Sequence, residues 1–115
     1  MALNKGDIVL VQFPFSDLSQ TKLRPALVLV VSASIDEITL CFISSQKVKS
    51  LSASEFAIAK SDREFAETGL KADSKVRVTR IITLERKLIL RKIGELSKNQ
   101  ILKLNQILTT AFKLK

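Results

Sequence analysis

"LRPALVLVV", Leu23 to Val31, decides the fold. From Ala26 to Val31 the run is almost purely apolar, which reads as a strand buried on both faces rather than on one. Pro25 biases Arg24 toward extended backbone, so a charged residue stands at the mouth of this buried strand.

The flanking segments read as further short strands. "DIVLVQF", Asp7 to Phe13, follows Gly6 and is rich in β-branched and apolar residues, and Pro14 ends it. "SDLSQTK" is a polar connection. "EITLCFI", Glu37 to Ile43, is a third strand and "SSQKVKS" returns the chain to loop. "EFAIA", Glu55 to Ala59, is a weaker fourth.

"SDREFAETG", Ser61 to Gly69, reads as one or two helical turns, with Ser61 as N-cap, Glu64 three residues later and Gly69 as the stop. "KVRVTRIITL" alternates, setting Val76, Val78, Ile82 and Leu84 against Arg77, Thr79 and Thr83. Arg80 falls on the apolar side, so either the strand bulges there or the arginine is aimed into a lined concavity. Another strand is expected around Leu88 to Ile93. Ser97 and Gln100 then form a capping box before a helix whose apolar face is Ile101, Leu104, Leu108 and Ala111, broadened by Ile107 and Phe112.

Five or six short strands and one terminal helix, with no repeat or linker, predict an α+β, mainly-β domain spanning residues 1–115: a small, largely antiparallel barrel or curled sheet closed by the C-terminal helix. A chain of 115 residues with 46% apolar composition is large enough for one core and too small for two. No signal peptide and no long apolar run stand out, so a cytoplasmic protein without a membrane partner is expected.

Charge points to polyanions. Lys and Arg outnumber Asp and Glu by 19 to 11, a formal charge of +8. With no histidine and one cysteine, zinc sites and histidine-based nucleophilic arrangements cannot be built, and no glycine-rich phosphate loop is present. No cofactor or metal is expected. Cys41, within "ITLCFIS", reads as a small core residue.

Two loops carry candidate chemistry. The first holds Lys22 and Arg24. A guanidinium keeps its proton and presents a fork of donors, which suits phosphate oxygens or charge developing on phosphorus; the alternative is a structural ion pair with Asp7 or Asp17. The second loop holds Ser44 and Ser45, whose hydroxyls suit turn hydrogen bonds, and Lys47 and Lys49, which suit solvent or a polyanion.

In order, "GDIVLVQFPFSDLSQTKLRPALVLV", "CFISSQ", "SKVRVTRIITL" and "KIGELS" before a terminal helix resemble the MazF/PemK (Kid) family of toxins from type II toxin–antitoxin systems. The resemblance implies a homodimer of SH3-like barrels. It implies a ribosome-independent and metal-independent endoribonuclease that cuts single-stranded RNA at short sequences, leaving 2′,3′-cyclic phosphate and 5′-hydroxyl ends. An acidic antitoxin is the implied partner, with operator DNA bound indirectly through it. The family's catalytic arginine falls on Arg24 and its catalytic threonine on Ser44, a serine here. RNA-binding positions fall on Ser19, Gln20, Lys22, Ser45, Gln46, Lys47 and Arg80, the last standing where many members have glutamine. The general base stays open between a carboxylate such as Asp17, a hydroxyl network and none. Two other readings remain: a non-catalytic module binding nucleic acid or peptide, and a gyrase-directed toxin.

Overall fold

A computed structural model describes residues 2–13 and 22–115. Six strands lie in one antiparallel sheet: β1 (Asp7–Phe13), β2 (Lys22–Val31), β3 (Glu37–Ser44), β4 (Glu55–Ile58), β5 (Ser74–Glu85) and β6 (Ile89–Glu95). The spatial order is β4-β5-β3-β2-β1-β6. A single helical turn, α1 (Phe65–Thr68), precedes β5, and α2 (Lys98–Ala111) ends the chain.

The expected class is what forms, a mainly-β antiparallel sheet with a C-terminal helix. The sheet is open rather than closed, with β4 and β6 as its two edges. Curling does the work of closure, because both faces carry a core. Ile8, Leu27, Leu29, Cys41, Ile43, Phe56, Ile58, Val76 and Val78 pack on one face, beneath Leu96 and Leu104. Val9, Val11, Ala26, Val28, Ile38, Leu40, Leu84 and Ile89 pack on the other. Successive residues of β2 therefore alternate between two cores, Ala26 and Val28 against Leu27 and Leu29, as an apolar strand without a polar face requires.

Strand β5 departs from the simple alternation. Cys41 pairs with Ile81 but the next residue, Phe42, pairs with Arg77, so Val78, Thr79 and Arg80 have no counterpart on β3. An odd insertion flips the side-chain faces. Val76 and Val78 consequently join the first core while Ile82 and Leu84 belong to the second, where the sequence pattern had set all four on one face.

The capping box holds α2 as expected: Gln100 N donates to Ser97 Oγ at 3.1 Å and Ser97 N donates to Gln100 Oε1 at 2.8 Å. Leu104 is fully buried and Ile101, Ile107 and Leu108 pack around it, but Ala111 is exposed and Phe112 is half exposed, so the apolar face ends a turn early. The helix stops in a Schellman arrangement, with Lys113 at φ 54° and hydrogen bonds from Lys113 N to Thr110 O and from Leu114 N to Thr109 O. Around α1 the N-cap is Glu64 rather than Ser61, and its side chain makes no capping bond. Asp62 organises that turn instead, accepting from Ala59 N at 2.9 Å. Gly69 does end it, in the left-handed region at φ 71°. Gly94 of β6 lies so close to α1 that a Cβ there would sit 2.2 Å from the Thr68 carbonyl carbon.

Candidate functional site: a cationic groove at the end of the β2–β3 ladder

The β2–β3 ladder begins at Ala26 opposite Phe42. Proline has no N–H to give a ladder, and Pro25 stands just before that first pair, so the strands part there. β2 stays paired to β1 through this stretch, with Arg24 opposite Val11. The parting leaves a groove of about 550 Å³. Arg24 and Pro25 line one side of it; Phe42, Ser44, Ser45 and Gln46 line another; Arg77 and Arg80 come from β5.

Register explains why these side chains meet. Directly opposed residues of an antiparallel sheet point to the same face. Glu55 opposes Arg77, which opposes Phe42; Ala57 opposes Lys75, which opposes Ser44. The intervening row, Phe56, Val76 and Ile43, points the other way into the first core. Three strands therefore present a polar row and an apolar row on opposite sides, and the rigid apolar row mounts the groove.

Arg24 is exposed and has no ion-pair partner among the described residues. Asp7, one of its two candidate structural partners, is committed elsewhere. Its Oδ2 accepts from Asn4 N at 2.8 Å and its Oδ1 meets Lys92 Nζ at 3.2 Å, holding the lysine charged to higher pH than usual. Asp17 lies outside the described residues, as do Ser19 and Gln20.

Ser44 Oγ accepts from Gln46 N at 3.0 Å, the turn bond expected of a hydroxyl after a strand. That bond uses a lone pair and leaves the O–H available as a donor. Both alternatives for Arg80 hold at once: it ends the bulge, and it lines the groove with its guanidinium 5.7 Å from the Phe42 ring centroid. Lys22 and Lys47 are exposed and do not line the groove; Lys47 sits in the left-handed region at φ 49°. No group of three acidic, cysteine or histidine side chains converges for a metal among the described residues.

Sequence reasoning missed Arg77 and its support. Glu55 Oε2 accepts from Arg77 Nε at 2.9 Å, while Oε1 accepts from Lys75 Nζ at 3.2 Å and from Ser52 N at 2.9 Å. The Ser52 backbone bond leads in holding this carboxyl down at about 2, with the two cations adding to it. Lys75 also donates to Ser50 O at 3.0 Å. The available signal was Lys75 and Arg77 two residues apart on one strand face, with a lone Glu55 on a neighbouring strand.

A curled antiparallel sheet capped by one helix, with three arginines and a serine hydroxyl around a groove at a parted ladder, defines a small β protein with a cationic groove. The chain belongs to the PemK-like, MazF-like toxins of type II toxin–antitoxin systems, whose family model matches residues 4–112. The Mycobacterium tuberculosis toxin MazF-mt6 is 24% identical, with 95% of this chain and 98% of that one aligned at a TM-score of 0.73. MazF in a MazE-MazF complex from Deinococcus radiodurans is 17% identical over 98% and 97% of the two chains, at a TM-score of 0.75. An endoribonuclease in complex with its cognate antitoxin from a mycobacterial species is 17% identical over 99% and 98%, at 0.74. At these identities the structures establish the fold. No curated protein sequence matches the chain. No helix among the described residues is long and apolar enough to cross a membrane.

Proposed function

We propose that the chain is the toxin of a toxin–antitoxin pair and acts as a sequence-specific, metal-independent and ribosome-independent endoribonuclease on single-stranded RNA. The observation that carries this reading is the convergence of Arg24, free of ion pairs among the described residues, with Ser44, Arg77 and Arg80 on one groove. A structural arginine is held by a carboxylate; Arg24 has none among the described residues, which supports a ligand role.

In the proposed reaction the ribose 2′-oxygen attacks the adjacent phosphorus and the bond to the 5′-oxygen breaks. The 2′-hydroxyl gives up its proton and the departing 5′-oxygen takes one, leaving a 2′,3′-cyclic phosphate and a 5′-hydroxyl. Negative charge builds on the non-bridging oxygens. Arg24 stabilises it, an effect of about 3–4 kcal/mol if it matches a preorganised oxyanion donor. Ser44 donates its O–H to the same phosphate, and Arg80, spread over Phe42, is placed for a neighbouring phosphate or base face.

The partners follow the same reading: a homodimer, and an acidic antitoxin whose charge complements +8 per protomer and through which operator DNA is bound. Expression without the antitoxin is expected to arrest growth in the cytoplasm. The direct test is incubation of the purified protein with single-stranded RNA in a chelator, followed by mapping of cut positions and end groups. RNA left intact under those conditions overturns the reading.

The Ser44 to Gln46 turn bond favours one second reading, a non-catalytic RNA-binding module in which Ser44 is purely structural. It predicts salt-dependent RNA binding without products.

A further inference from the structure

We infer that Glu55 is a positioning residue of the groove, holding the Arg77 guanidinium in one geometry. The inference rests on the reading that this groove takes RNA.

Glu55 stands on the edge strand β4, and its side chain is only 9% exposed. A carboxylate so placed needs partners, and it has three from two different segments. Arg77 Nε and Lys75 Nζ come from β5, and Ser52 N comes from the loop that begins beyond Ser44. Lys75, itself buried, carries the link on to Ser50 O. The far end of the loop bearing Ser45 and Gln46 is therefore tied to the strand bearing Arg77 directly at Ser50, and through Glu55 at Ser52.

The direction of the hold matters. Glu55 takes the Nε of Arg77, the donor nearest the backbone, and its bond to that nitrogen leaves the terminal nitrogens unclaimed by the carboxylate. Arg77 is 40% exposed at its side chain and lines the groove, whereas Glu55 does not line it. The acid thus fixes the orientation of a guanidinium whose outer edge faces the ligand space. Across the ladder, Arg77 and Lys75 oppose Phe42 and Ser44, so the two cations that this carboxylate holds are the β5 neighbours of two groove-lining residues of β3.

An anchored Arg77 grips substrate alike in the ground and transition states, so its loss of orientation appears in KM. Glu55→Gln is expected to raise KM for a short single-stranded RNA about tenfold, the scale of one charge-assisted hydrogen bond, with kcat within about threefold of wild type. In an Arg77→Gln background the same change is expected to add nothing. Labelled-arginine NMR reads the hold directly: the Arg77 Nε–H signal, protected in the parent, is expected to exchange rapidly in Glu55→Gln. If Glu55→Gln does not fold, Glu55→Asp keeps the charge with a shorter reach and is expected to raise KM several-fold, again only where Arg77 is present.

Unchanged KM in a folded variant overturns the inference and leaves the endoribonuclease reading standing. An equal rise with and without Arg77 also overturns it, since Glu55 then acts through general stability. A wild-type protein that binds but does not cut RNA sinks the endoribonuclease reading, and Glu55 is then judged by the same cycle on RNA affinity. Absence of both binding and cutting sinks both.

Discussion

Replacing Arg24 by alanine is expected to separate activity from stability. Arg24 is exposed, has no ion pair among the described residues, and precedes the segment of β2 that carries the core. Ala26, Leu27 and Val28 are each fully buried, so the strand is held by its apolar part and not by its charged mouth. Truncation should shift unfolding free energy by no more than about 0.5 kcal/mol, a few degrees at most in Tm. The catalytic loss is much larger: about 3–4 kcal/mol of transition-state stabilisation corresponds to roughly 10²- to 10³-fold in kcat. Arg24→Lys keeps the charge but loses the planar fork and is expected to recover only part of that loss. The assay is initial rate on a fluorogenic single-stranded RNA in chelator, beside thermal unfolding of the same preparations. With no histidine in the chain, the wild-type rate profile is expected to lack a limb near pH 6.5. A folded Arg24→Ala variant that cuts RNA at the wild-type rate refutes the assignment, and so does a rate loss fully accounted for by unfolding.

Four further outcomes are expected. Ser44→Ala should lower kcat through the lost hydroxyl, whereas Ser44→Thr should keep activity within a few-fold and, if equal to alanine, rules out a hydroxyl role. Gly94→Ala should cost at least about 2 kcal/mol in urea unfolding, because its Cβ would meet rigid backbone atoms of Glu67 and Thr68 at 2.2–2.4 Å; a neutral result would contradict this packing of α1 on β6. Glu55 should contribute stability fully above its unfolded value of 4.5 and lose it as pH falls through about 2, so the gap in stability between wild type and Glu55→Gln should shrink steadily from pH 5 to pH 2. Burial pushes the Cys41 thiol up to about 12, so a disulfide reagent at pH 8 should label it only at the rate of global unfolding.

How much was legible depended on how local the cause was. The bounds of β1 and the Ser97–Gln100 box are set by neighbours in sequence, and both form as expected. The double burial of β2 was readable and holds from Ala26 to Leu29, where a strand with no polar face has nowhere else to go, whereas Val30, read as part of the buried run, is 57% exposed. Ser61 fails as a cap because the helical turn starts only at Phe65, behind Glu64, and pattern alone does not set where so short a helix begins. Ala111 and Phe112 continue the helical stripe in sequence, but the sheet beneath them has ended.

The sequence by itself determined the class of fold, the family and the presence of Arg24 and Ser44, because periodicity, capping and motif order are written in residues near one another. Only the tertiary structure decided the rest. The bulge at Val78–Arg80 flips the faces of β5, the ladder parts at Pro25, and Glu55 meets Lys75 and Arg77 across 20 and 22 residues of chain. Each depends on the register of one strand against another, and register is a property of pairs of segments that no single segment encodes.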